Sequence, residues 1–144
     1  MTHFIQTKIK HHKTLENGKQ KNTTETYVFQ AETFTEAEAK AVKYATDFRF
    51  FDFQVTALTY CRVSEIVRQT DFKQPEPLWF RAKIDYITLD ERNARETHTK
   101  QNLLVEASCF EHANDVISQY IAHSVADIRL LSLTETNIID VITE

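Results

Sequence analysis

Residues 26–45, TYVFQAETFTEAEAKAVKYA, have a counterpart in residues 102–121, NLLVEASCFEHANDVISQYI, and the match between them decides the fold. Adding 76 to Tyr27, Phe29, Ala31, Phe34, Ala37, Ala41, Tyr44 and Ala45 gives Leu103, Val105, Ala107, Phe110, Ala113, Ile117, Tyr120 and Ile121. Every apolar position lands on an apolar position. Upstream, Phe4, Ile5, Lys8 and Ile9 align with Trp79, Phe80, Lys83 and Ile84 at an offset of 75. Downstream, Phe53, Val55, Leu58, Thr59 and Glu65-Ile66-Val67 align with Ile128, Leu130, Leu133, Thr134 and Asp140-Val141-Ile142 at the same offset. The drifts of one or two residues fall at turns, where insertions cost least. Two copies that each span about half the chain are the signature of a duplicated unit.

Each copy reads as strand, strand, helix, long strand. Ile5, Thr7, Ile9 and His11 alternate with Gln6, Lys8 and Lys10, the period of two of a half-buried strand. Glu16-Asn17-Gly18-Lys19 supplies the hairpin turn, since Asn and Gly both tolerate positive φ. The second copy has Asp90-Glu91-Arg92-Asn93 there, without glycine, and a longer, looser hairpin is expected. The return strands are placed at Thr26–Ala31 and Asn102–Ala107. Thr33 and Glu36 have capping-box spacing before the first helix, and Ser108 and Glu111 offer the same pair before the second. Phe34, Ala37, Ala41, Tyr44, Ala45 and Phe48 recur at spacings of three and four, one face of a helix. Phe34, Tyr44, Phe110 and Tyr120 are expected to be buried beneath the two helices.

The expected architecture is an α+β fold: a tandem duplication of a strand-strand-helix-strand unit, with mainly antiparallel sheets, one helix per repeat and a pseudo-twofold. Residues 1–67 form the first repeat and 79–144 the second, together one compact domain. Residues 68–78, RQTDFKQPEPL, hold both prolines and read as a linker. Val28, Leu58, Tyr60, Leu104, Leu131 and Leu133 fall on the strand face opposite the helix in this register. A sheet apolar on both faces must be covered on both. The sheets then stack, merge or bury that face in an oligomer. A homodimer is expected, with Phe50, Phe51, Leu131 and Leu133 in its interface.

Composition narrows the function classes. A net charge of −4 argues against a general nucleic-acid glue, although a local basic patch remains compatible with it. One glycine in 144 residues excludes a Walker loop and a Rossmann fingerprint. No apolar run is long enough for a signal peptide or a bilayer span. Cys61 and Cys109 lie in different copies and read as reduced thiols of a cytoplasmic protein.

Catalytic signatures are missing. His11 and His12 are adjacent in a strand and point to opposite faces. Cys109 and His112 are three apart at a helix start, but two ligands do not make a zinc site, so neither a metal nor another cofactor is expected. Glu36/Glu38 lie at a helix N-terminus and Asp90/Glu91 in a turn, both ordinary places for acids. The five serines at 64, 108, 118, 124 and 132 lack the glycine neighbours of a nucleophile elbow. What stands out is a basic row on the polar side of the first strands: Lys8 and Lys10 in copy one, Arg81 and Lys83 in copy two. Such lysines also occur as ordinary solvated residues or guards of a sheet edge. The aromatic run Phe48-Arg49-Phe50-Phe51-Asp52-Phe53 could stack bases, or serve as core plus interface.

The expected function is therefore non-enzymatic: a binding protein with a duplicated, symmetric surface for a nucleotide, a nucleic acid or a host protein. The alternative is a small nucleotide-processing enzyme whose symmetric Lys8 and Lys83 hold phosphates.

The blocks KTLENGKQK (13–21), TYVFQAETFTEAEAKA (26–41), WFRAKIDYITLDE (79–91) and LLVEA (103–107) resemble domain-of-unknown-function family 4494, typical of Bacteroidota and their phages. The resemblance covers nearly the whole chain. It implies a cytoplasmic protein of a bacterial or phage-infected cell, and no residue takes a role from it. The chain departs from the family pattern at 48–53, where a more polar turn containing glycine is expected.

Overall fold

The computed structural model describes residues 2–68 and 77–143, so the expected linker lies mostly outside the described residues. The elements are β1 (His3–Thr14), β2 (Gln20–Ala31), α1 (Phe34–Asp47), β3 (Phe51–Tyr60), β4 (Glu65–Val67), β5 (Leu78–Asp90), β6 (Arg95–Ala107), α2 (Phe110–Ala122), β7 (Asp127–Glu135) and β8 (Ile138–Ile142). The β-β-α-β arrangement occurs twice, as a duplication requires. The long strand expected after each helix breaks into a long and a short one, and the breaks occupy equivalent places.

The short strands exchange partners. One four-stranded sheet has the order β3-β1-β2-β8 and the other β4-β6-β5-β7. β8 closes the second repeat, yet it pairs in parallel with β2 of the first, Val141 opposite Val28. β4 closes the first repeat and pairs in parallel with β6 of the second, Ile66 opposite Leu104. Both sheets are therefore mixed. The chain forms two compact units, residues 1–62 with 137–144, and residues 63–136.

In the first unit, Ile5, Ile9, Tyr27, Phe29 and Ala31 project from the sheet onto Ala37 and Ala41 of α1, as the alternation requires. In the second, Phe80, Ala82, Ile84, Leu103, Val105 and Ala107 meet Ala113, Val116 and Ile117 of α2. The helix positions that carry each core lie in the middle turns. Phe34 and Phe110 do not join them: they are 39% and 55% exposed. Both are the first residue of their helix, where the side chain overhangs the sheet's end. Tyr44 and Tyr120 are half-buried and pack against the cores.

The face assignment also needs correction. Val28 and Leu104 are fully buried and stand apart from the helix-side cores, as expected. Leu58 and Leu133 instead pack on the helix side. A β-bulge explains the inversion. Lys8 faces Ala57 while Ile9 faces Val55, leaving Thr56 as an extra residue. Lys83 faces Ser132 while Ile84 faces Leu130, leaving Leu131 extra. Each bulge shifts the alternation by one, so Val55 and Leu58 share a face, as do Leu130 and Leu133. The bulges are themselves equivalent, at positions 56 and 131. Of the six residues expected to need an outside partner, Val28 and Leu104 are buried, Leu58 and Leu133 pack on the helix side, Tyr60 lies against Phe34 of α1 with ring centroids 4.8 Å apart, and Leu131 is half-buried.

The turns and caps follow local chemistry. Gly18 adopts φ 80, and Leu15 N–H donates to the Lys19 carbonyl at 2.7 Å. The second hairpin is as tight as the first, contrary to expectation, because Ala94 takes the left-handed conformation (φ 53) without being glycine. Asp90 and Asn93 side chains accept from Arg92 N–H and Arg95 N–H, which holds that turn. Thr33 caps α1 as expected, accepting from Glu36 N–H at 3.1 Å, while Glu36 reaches back to Glu32 N–H at 3.0 Å. The second cap is Cys109 rather than Ser108. Its Sγ accepts from His112 N–H at 3.5 Å, and His112 Nδ1 accepts from Ser108 N–H at 3.0 Å. Cys109 and His112 therefore repeat the roles of Thr33 and Glu36 with unusual atoms, and their spacing has a structural cause.

Candidate functional site

The alternation of β1 sends Ile5, Ile9 and His11 toward α1 and Lys8, Lys10 and His12 to the opposite face. On that face the antiparallel register sets His12 opposite Asn22 of β2, and Lys10 opposite Gln54 of β3. Lys10, His12, Asn22, Asp52, Phe53 and Gln54 line a groove of ≈ 380 Å³. Its wall is mostly polar: one ammonium, one imidazole, two carboxamides and one carboxylate. His12 Nε2 lies 3.1 Å from Asp52 Oδ2. Lys8 continues the basic row one pleat further along, exposed to solvent.

The groove owes its shape to the 48–53 segment, where the sequence reading expects a turn containing glycine. Arg49 and Asp52 adopt φ 56 and 51 in place of the expected glycine. Between Lys10 and His12 the register of β3 slips again, from Gln54 to Phe51. This second bulge has no counterpart in β7, which stays in register from Arg129 to Asp127. It carries Asp52 to His12. On the other side of the strand, Phe50 stacks on His11 with centroids 4.0 Å apart and planes 7° from parallel. Phe50 is therefore a core residue, whereas Phe51 is 60% exposed. Leu131 is the bulge residue of β7 and Leu133 packs on the second core.

The basic row is repeated only in part. Lys83 is exposed between Asn102 and Ser132, as Lys8 is between Thr26 and Ala57. Arg81 is half-buried beside Leu104 and Thr134. The equivalent of Lys10 is Asp85, that of Asn22 is His98, and that of Gln54 is Arg129. Asp85 is 4% exposed and accepts from His98 Nδ1 at 2.6 Å. That hydrogen bond and the carboxylate charge raise the His98 pKa above its ordinary value. The two units thus offer opposite charges at one structural position. Since β1 and β5 are inner strands, the lysines do not serve as edge guards.

Two further polar clusters escape a sequence reading. Beneath α1, His11 is buried and bonds Glu25, which also accepts from Lys13 Nζ at 3.0 Å and from the Tyr27 hydroxyl at 3.4 Å. Burial pushes the Glu25 carboxyl up, but the hydrogen bonds from His11 and Lys13, with their charges, outweigh it and hold its pKa below the carboxylate range. Burial, with the Glu25 charge, raises the Tyr27 hydroxyl, and burial with the Asp140 charge raises Tyr44. In the second unit the Tyr120 hydroxyl donates to Glu65 Oε2 of the exchanged strand at 2.5 Å. Glu65 and Asp140 are equivalent, so each exchanged strand brings an acid to the tyrosine of the helix it meets. Val67, Val116, Gln119, Tyr120, His123 and Ser124 line a shallow depression beside that contact. Among the described residues, no group of three or more His, Cys, Asp or Glu could hold a metal ion. Among them also, no helix is long and apolar enough to cross a membrane.

The chain belongs to the family described as Domain of unknown function (DUF4494), which it matches over residues 3–144. No curated protein and no solved structure matches it.

Proposed function

We propose that this member of the family is a non-enzymatic binding protein whose ligand is a small phosphate-bearing molecule of the nucleotide class. The observation that supports the reading is the convergence of Lys10, His12, Asn22 and Gln54 from three adjacent strands on one groove. A volume of ≈ 380 Å³ falls within the range of small-molecule sites. Lys10, with Lys8 behind it, offers charge to a phosphate as a point cation. The carboxamides of Asn22 and Gln54 each present a donor and an acceptor, the pattern that reads a base edge or a sugar hydroxyl. The duplicated frame keeps Lys8 and Lys83 at matched places, while the differing neighbours give the second unit a chemistry of its own. The setting we propose is the cytoplasm of a bacterial or phage-infected cell. The reading of Cys61 and Cys109 as reduced thiols supports a reducing compartment, and the resemblance of the 13–21, 26–41 and 79–91 blocks supports the host.

A nucleotide panel tests the reading, with thermal shift and product analysis run on the same samples. A ligand at 100 times its Kd should stabilise the protein by about 2.7 kcal/mol. Lys10→Glu should abolish the shift, and no product should form. An equal shift in Lys10→Glu would overturn the groove. Turnover lost in Lys83→Ala would favour the alternative, an enzyme that holds phosphates with its basic residues.

A further inference from the structure

The exchanged strands carry an inference about partners. β8 leaves the second unit through a connection of only Thr136 and Asn137, with Thr136 N–H and Oγ1 both donating to the Trp79 carbonyl at 2.9 and 2.8 Å. The equivalent crossing runs from Cys61 to Ser64, where Cys61 N–H donates to the Phe4 carbonyl and Ser64 N–H to the Asn102 carbonyl, both at 2.8 Å. Cys61 and Phe4 correspond to Thr136 and Trp79, so both crossings are pinned at the same point of the repeat. Beyond each pin, a short strand completes a sheet built by the other repeat.

We propose that the acceptor edges of β2 and β6 fit the β8 and β4 strands of a second copy of this chain, giving a closed, strand-exchanged homodimer. The occupant is defined by the chain itself, because the edge already holds that strand in that register. Ile138 and Val141, 5% and 2% exposed, would bury the same surface whether donated in cis or in trans. Contact energy is therefore common to both forms, and connection entropy and concentration decide between them. A strand tethered within its own chain has an effective concentration in the millimolar range, so the dimer gains ground when chains refold at comparable concentration. The short, pinned crossing restricts the cis route further, which is the usual setting for exchange. Two copies satisfy every donor and acceptor edge, so the assembly stops at two. This partner needs no exposed apolar face.

The test refolds a mixture of 15N-labelled and 13C-labelled chains at about 5 µM and at about 5 mM, concentrations chosen on either side of the tether's millimolar effective concentration. Native mass and isotope-filtered NMR are then recorded. Monomer is expected at the low concentration and a dimer at the high one, with intermolecular contacts between the methyl groups of Val28 and Val141. Inserting Gly-Ser between Thr136 and Asn137 should lower the dimer fraction several-fold by easing the cis connection. Monomer at both concentrations would overturn the inference. So would a dimer in which Val28–Val141 contacts remain strictly intramolecular.

Discussion

Val141→Ala separates strand exchange from a simple pair of side-by-side repeats. Val141 is 2% exposed and faces Val28, itself fully buried. The substitution removes two methyl groups, worth about 1.6 kcal/mol at about 0.8 kcal/mol each, with a cavity cost added where the site does not relax. By sequence Val141 belongs to the second repeat; by pairing it stabilises the first unit. Native-state hydrogen exchange reads the two sheets separately. Protection of β1 and β2 amides should fall by about 15-fold, the factor equivalent to about 1.6 kcal/mol, while β5 and β6 keep theirs. Ile66→Ala, at the equivalent place in β4, should act on β5 and β6 instead, and less strongly because Ile66 is only half-buried. Loss of protection in β5 and β6 on Val141→Ala, with β1 and β2 unchanged, would refute the exchange.

Replacing the sulfur cap by a better acceptor in Cys109→Ser should stabilise α2 by up to about 1 kcal/mol in a thermal melt; a loss would mean the Cys109–His112 contact does not cap the helix. The folded pKa of Glu25 lies below its unfolded value near 4.5, so its contribution is complete above that pH and fades as pH falls through the folded value. Glu25→Gln should flatten that acid limb in urea titrations. His98 has the opposite sign: its folded pKa lies above 6.5, so its contribution is complete below 6.5 and fades as pH rises through the folded value. His98→Gln should remove the slope just above pH 6.5. Asp52→Asn keeps a side chain that tolerates φ 51 and deletes the negative charge beside His12, so affinity for inorganic phosphate should rise about fivefold by titration calorimetry.

The duplication, the two helices and the hairpins were legible because they rest on periodicity and turn chemistry. The alternation of β1 also placed His11 and His12 on opposite faces, and the structure has one in the core and the other in the groove. What escaped depended on single residues or on distant pairing. A bulge at Thr56 or Leu131 leaves no mark on composition, yet it moves Leu58 and Leu133 to the helix side. Cys109 and His112 repeat a cap with atoms outside the usual Ser/Thr and Glu/Gln set. Ala94 and Asp52 adopt backbone angles that sequence reserves for glycine. The exchange of β4 and β8 is set by which edge a three- or five-residue strand finds, and no local pattern encodes that choice. The alternation of β1 places Lys10 in the basic row with Lys8, but Asn22 and Gln54 join it only through the register of three strands.

The groove can be tested atom by atom by 15N-correlated NMR during nucleotide titration of the whole chain. The side-chain amide signals of Asn22 and Gln54 and the ring nitrogens of His12 should shift together and saturate with one dissociation constant. The Asn102 amide, which neighbours Lys83 in the second sheet, should stay in place. Shifts at Asn102 with Asn22, Gln54 and His12 unmoved, or no shifts at millimolar nucleotide, would contradict the account.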